Sequence, residues 1–119
     1  MAHVVVVEDS DDFRDALCDM LFEAGFDAVA VSTAAEAKAL LNRHPLRCIV
    51  LLDLGLPDDR GENVLEWIRS HPHHRDNPII VMTAMQKDSV PGCNALLAKP
   101  IDFDALLKLI DRHIARLPN

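Results

Sequence analysis

Four runs of apolar residues punctuate this chain, and each stops at a polar or charged side chain. Val4–Val7 runs into Glu8 and Asp9, Ile49–Leu52 into Asp53, Ile79–Met82 into Thr83, and Ala95–Ala98 into Lys99. Short runs rich in branched residues and bounded by turn signals predict strands buried on both faces, as in parallel sheets. A further run, Phe26–Val31, predicts a second strand in chain order. Between these runs the period changes. Phe13, Ala16, Leu17, Met20, Leu21 and Ala24 recur at helical spacing, and Gly25 stops that helix. Ser32 is placed to cap a helix over about Thr33–Arg43, which ends before Pro45. A third helix around Glu62–Ser70 buries Val64, Leu65 and Ile68. Asp102 is placed to cap the last helix, whose face is Phe103, Leu106, Leu107, Ile110 and Ile114.

Strand and helix alternate throughout, with no repeat, linker or low-complexity segment, so one α/β unit around a parallel sheet is expected. The common arrangement at this size is a doubly wound five-stranded sheet of order 2-1-3-4-5. That order sets strands 1 and 3 side by side and brings Glu8, Asp9 and Asp53 to one edge. One connection is abnormal. Only 11 residues separate Thr83 from Ala95, Pro91 and Gly92 among them, whereas a crossover with its helix needs about 10–12 at minimum. The fourth helix is therefore expected to be truncated or absent. Ala84–Pro91 shows no apolar stripe that would dock such a helix firmly, and because the crossover is so short Met85–Asn94 is expected to be mobile or irregular.

At 119 residues the chain has the length of a single domain, 1–119, with a core that needs no staples. Although 50% of its residues are hydrophobic, no apolar stretch approaches the roughly 20 residues of a membrane span. The N-terminal Met-Ala-His-Val leads straight into a predicted strand, so no secretory signal is expected. Cys18, Cys48 and Cys93 are odd in number and widely spaced, which suits reduced thiols in a cytoplasmic protein. The net charge of −7 argues against a nucleic-acid surface, which calls for a basic stripe. Asp11, Asp12 and Asp15 fit the first turns of a helix, where its dipole favours negative charge.

The chemistry lies at the strand ends. Three converging carboxylates raise at least one pKa unless a cation intervenes. Mg²⁺ suits such a place, since it takes one or two carboxylates, keeps several waters and binds substrate phosphate. Asp53 would then be ionised and available as an oxygen nucleophile. Phosphoryl transfer asks mainly for alignment and for positive or hydrogen-bonding groups on the phosphoryl oxygens, and Thr83 and Lys99 are of that kind. His71-Pro72-His73-His74, by contrast, lies among polar loop residues and reads as surface rather than as a metal site. Cys48 reads as an inert core residue, and Trp67 as packing partly on the third helix.

Together these residues resemble the receiver domain of two-component response regulators, over about residues 3–116. The matching pieces are Glu8-Asp9 after strand 1, Asp53 with Pro57 and Gly61 following, Thr83-Ala84 after strand 4, and Lys99-Pro100 after strand 5. The resemblance implies a flavodoxin-like, chemotaxis-regulator-like fold. It implies that Asp53 accepts a phosphoryl group from a sensor histidine kinase or histidine phosphotransfer protein. Mg²⁺ would be bound by Asp9, Asp53 and the Gly55 carbonyl, with Glu8 acting through water. Thr83 and Lys99 would contact the phosphoryl oxygens, and Lys99-Pro100 would be cis. Output would be through a downstream protein target, with homodimerisation left open and with neither membrane nor direct nucleic-acid binding. Such domains catalyse only their own phosphorylation and dephosphorylation.

The chain departs from that family in places. Arg60 stands where Asp is common, and Leu96 where a Tyr or Phe usually relays the signal. Gly55 and Met85, which flank the site, imply a changed phosphate lifetime. With no effector domain expected after Asn119, a stand-alone regulator or a piece of a hybrid kinase is implied. Two other classes stay open. A pseudo-receiver would act as a phosphorylation-independent interaction module. An aspartate-dependent phosphohydrolase would usually carry a carboxylate where Gly55 stands.

Overall fold

The computed structural model describes residues 3–44, 47–85 and 87–114. Five strands and four helices follow in order: β1 His3–Val7, α1 Asp11–Glu23, β2 Asp27–Val31, α2 Ala34–Arg43, β3 Cys48–Asp53, α3 Gly61–Ser70, β4 Ile79–Thr83, β5 Ala95–Ala98 and α4 Phe103–Ile114. All strand pairings are parallel and the sheet order is β2-β1-β3-β4-β5, as the alternation predicts.

The apolar runs are explained by two cores, one on each face of the sheet. Val5, Val7, Val50, Leu52, Ile79 and Val81 point to the side covered by α2 and α3. Val4, Val6, Ile49, Leu51, Ile80 and Met82 point to the side covered by α1 and α4. Successive strand residues face opposite ways, so a strand covered on both faces must be apolar at every position. β2 and β5 lie at the sheet edges and are only partly buried.

Local signals set the helix ends. Ser10 caps α1 by accepting from the Phe13 amide at 3.4 Å, and Gly25, at φ +89°, takes the left-handed conformation that ends it. The cap of α2 is Thr33 rather than Ser32. Its hydroxyl accepts from the Glu36 amide at 3.0 Å, while the Ser32 hydroxyl donates to the Glu36 carboxylate at 2.8 Å. The Glu36 side chain selects this register by reaching back as in a capping box. Asp102 accepts from the Ala105 amide at 3.2 Å at the start of α4.

Among the described residues, no helix lies between β4 and β5, in line with the short interval there. The segment is irregular, as expected, yet its part from Val90 to Asn94 is anchored. Val90 is buried against the α2/α3 core. Arg69 of α3 donates from Nε to the Gly92 carbonyl at 2.9 Å and from Nη2 to Asn94 Oδ1 at 2.8 Å. Its Nη1 donates to the carbonyls of Arg75 and Asn77 at 2.8 and 2.7 Å. One guanidinium thus staples this connection to the α3–β4 loop. Gly92 has φ +91°, and a Cβ there would stand 2.7 Å from Leu65 Cδ2, so the backbone approaches α3 closely.

Candidate functional site

Parallel register brings the polar strand ends together. Val7 of β1 is aligned with Leu52 of β3, Asp53 with Met82 of β4, and Thr83 with Ala98 of β5. Glu8 and Asp9, Asp53, and Lys99 therefore emerge at one edge of the sheet, the edge at which open α/β sheets bind ligands. The Lys99 amide donates to the Thr83 carbonyl at 2.8 Å, extending the last pairing to the site itself. The Lys99–Pro100 peptide is cis, as the resemblance implies.

Glu8 is fully buried and Asp53 is 5% exposed, whereas Asp9 is exposed. Each offers a carboxylate oxygen, and the three oxygens lie within 4.8 Å of one another. Glu8 Oε1 is 2.6 Å from Lys99 Nζ, and its Oε2 accepts from the Ser10 amide at 3.0 Å. Burial pushes the Glu8 carboxyl above its ordinary range, and the Lys99 ammonium pulls partly against that shift. Lys99 Nζ also stands 3.5 Å from Asp53 Oδ1 and 4.8 Å from the centroid of the Phe13 ring. Arg14 Nη1 donates to the Glu8 carbonyl at 3.0 Å. Thr83 is buried, and its Oγ1 accepts from the Met85 amide at 3.0 Å, leaving the hydroxyl proton for another acceptor.

Gly55 borders the carboxylates, since a Cβ there would be 4.0 Å from Asp53 Oδ2. Gly61 is required by packing. A Cβ at that position would meet Leu54 Cα at 2.5 Å and the Asp53 carbonyl oxygen at 2.6 Å, so the loop must return over the backbone of Asp53. The Gly61 amide donates to the Leu54 carbonyl at 2.9 Å, and Gly55 and Arg60 form an antiparallel bridge. The sequence reading missed Asp58. Its Oδ1 and Oδ2 accept from the amides of Ala34 and Ala35, at 2.8 and 3.0 Å, which ties this loop to the start of α2. The Pro57-Asp58 turn was the signal available, but nothing local names α2 as its partner.

The structure therefore brings together Glu8, Asp9, Asp53, Gly55, Thr83 and Lys99. Clustered hard oxygen donors with a single ammonium among them suit a hard divalent cation rather than a thiophilic one. In the histidine run, His73 is exposed as expected, but His74 is not at the surface. His74 is fully buried, with Nε2 2.7 Å from the Leu41 carbonyl and Nδ1 2.8 Å from Asn77 Nδ2. The Asn77 amide needs an acceptor at Nδ1, which leaves the proton on Nε2. His74 is thus a core polar residue, fixed on one side by the Leu41 carbonyl from α2 and on the other by Asn77. Cys48 is buried as expected, with its thiol pushed up to about 12 by burial. Leu96, in the place where an aromatic residue is usual, packs against the α2/α3 core. An open groove beside it is lined by Thr83, Met85, Lys87, Ala98 and Lys99.

The sequence profile of the response regulator receiver domain matches residues 4–111, and the chain belongs to that family. It is 34% identical, over 98% of its length, to the response regulator protein FleR of Pseudomonas aeruginosa, but spans only 26% of that protein. Against the polar-differentiation response regulator DivK of Brucella ovis it is 25% identical, covering 93% of this chain and 94% of that one. Among solved structures, a sensor protein from Polaromonas sp. JS666 superposes with a TM-score of 0.86 at 29% identity, covering 98% of both chains. Among the described residues, no helix is long and apolar enough to cross a membrane.

Proposed function

We propose that this receiver domain is a phosphoacceptor of a two-component or phosphorelay system, phosphorylated on Asp53. The observation that carries the reading is the geometry of the Asp53 carboxylate, which shares one sheet edge with two further carboxylates, Lys99 and the Thr83 hydroxyl. In the reaction, an Asp53 oxygen attacks the phosphorus of a phosphohistidine on a sensor kinase or phosphotransfer protein. The P–N bond breaks, and the imidazole nitrogen leaves with the bonding pair and takes up a proton.

Asp9, Asp53 and the Gly55 carbonyl would hold Mg²⁺, with Glu8 acting through water. When bound, the ion neutralises charge on the carboxylates and the transferring phosphoryl group. Lys99 offsets negative charge on the phosphoryl oxygens, and Thr83 offers its hydroxyl proton to one of them. Glu8 holds Lys99 in reach of Asp53. The same residues support self-catalysed dephosphorylation, so the domain acts as a switch and not as a turnover enzyme. A downstream protein would read the state of the β4 and β5 ends in the cytoplasm.

Beryllofluoride, which mimics an acyl phosphate, tests this. With Mg²⁺ it is expected to shift the amide resonances of Asp53, Thr83 and Lys99. Absence of Mg²⁺-dependent shifts at all three contradicts the proposal.

A further inference from the structure

We infer that Asp58 is a positioning residue for the Asp53 site, holding the loop that carries Gly55 against α2 and so setting the site's affinity for a divalent cation. The inference rests on the reading above, in which the Gly55 carbonyl is one of the cation's ligands. Asp58 makes no contact with the carboxylate cluster among the hydrogen bonds and ion pairs of the described residues. Its effect must therefore pass through the loop.

Three features make the clamp specific. Both carboxylate oxygens are used, on two successive amides, and the contact spans 24 residues of sequence. Carboxylates are favoured at helix N-termini because free amides and the helix dipole both attract them. Yet α2 already has its own cap in Thr33, which takes the Glu36 amide. Asp58 takes the two amides that Thr33 leaves, so it joins the loop to the helix instead of duplicating the cap.

The base of the loop is fixed independently. The Gly61 amide to the Leu54 carbonyl and the Gly55–Arg60 bridge close it. Asp59 turns back on its own side of the loop, with Oδ1 accepting from the Arg60 amide and from Asn63 Nδ2, both at 2.7 Å. Leu56 packs against the α2/α3 core. The outer turn is left to Asp58 to hold, apart from a long Lys38–Asp59 pairing at 3.9 Å. Without Asp58, the outer turn from Pro57 to Asp59 gains freedom, and the Gly55–Arg60 bridge that it closes is left as the main support of the Gly55 carbonyl. That ligand carbonyl is then less well placed, and groups that orient metal ligands typically carry 10–100-fold in affinity.

The test is calorimetric titration of the full chain with Mg²⁺, comparing the parent with Asp58→Ala, Asp58→Asn and Thr33→Val. Asp58→Ala is expected to bind Mg²⁺ roughly tenfold more weakly. Asp58→Asn, which keeps one accepting oxygen, is expected to fall between it and the parent, and serves alone if the alanine variant does not fold. Thr33→Val weakens the cap of α2 without touching the loop and is expected to bind as the parent does. Hydrogen exchange at the Ala34 and Ala35 amides is expected to quicken in Asp58→Ala. Parent-like Mg²⁺ affinity in both Asp58 variants overturns the inference, as does an equal loss in Thr33→Val, which would trace the effect to helix stability. A parent that binds no Mg²⁺ overturns the functional reading itself, and the inference with it.

Discussion

Lys99 Nζ lies 2.6 Å from Glu8 Oε1, closer than its 3.5 Å to Asp53 Oδ1. The ammonium is thus held first by a fully buried glutamate and only second by Asp53. Replacing it by Lys99→Met removes a cation that competes for the carboxylates. Mg²⁺ binding is expected to tighten by about 1 kcal/mol, roughly fivefold. Phosphorylation by acetyl phosphate is expected to slow by about a hundredfold, the usual consequence of losing one group that stabilises transition-state charge. Mg²⁺ titration and timed intact-mass measurements read the two opposite effects.

Arg69 reaches four acceptors across the α3–β4 loop and the β4–β5 connection. Burial lowers the pKa of its guanidinium, but an arginine stays charged at any ordinary pH. Arg69→Met removes that donor, although Asn94 Oδ1 keeps the Ile79 amide, and is expected to destabilise the fold by about 2–3 kcal/mol in urea unfolding. The amide of Asn94, which donates to the Ile79 carbonyl, is expected to exchange faster. Arg69→Lys keeps the charge but not the planar fork, and is expected to restore only part of the loss.

The lengths and junctions of the elements were legible because they follow from local rules. An apolar run must end where a strand leaves the core, and that is where Glu8, Asp53, Thr83 and Lys99 stand. Parallel register then makes one site of four separate sequence positions. Arg69, His74 and Asp58 were not legible, for a shared reason. Each looks like an ordinary surface charge or loop polar residue until its partner, 6 to 33 residues away, is placed beside it. The same holds for Thr33 over Ser32, where the two candidate caps are neighbours and Glu36 decides between them.

Burial holds the His74 imidazole below its ordinary value of 6.5. Between its folded value and 6.5, the unfolded chain takes up a proton that the native chain refuses. Stability therefore falls as pH drops below 6.5 and levels off below the folded value. His74→Gln, which does not titrate, is expected to lose that part of the slope when urea midpoints are compared between pH 7.5 and pH 5. At pH 7.5 it is expected to be about 1–2 kcal/mol less stable, because the Leu41 carbonyl and Asn77 are less well satisfied.

The thiol of Cys48 is buried and pushed up to about 12, so it is neither accessible nor ionised at neutral pH. Iodoacetamide is expected to leave it unmodified in the native chain and to label it only after denaturation, as read by peptide mass mapping. Labelling of native Cys48 as fast as denatured Cys48 would contradict the packing of β3.

The most direct measurement is the location of the phosphoryl group. The chain is incubated with acetyl phosphate, with and without Mg²⁺, reduced with borohydride and mapped by peptide mass spectrometry. An acyl phosphate is converted by this treatment to homoserine, so the expected result is homoserine at position 53, formed only with Mg²⁺ and absent in Asp53→Asn. An unmodified Asp53, or modification elsewhere that Asp53→Asn leaves unchanged, would contradict the assignment of Asp53 as phosphoacceptor.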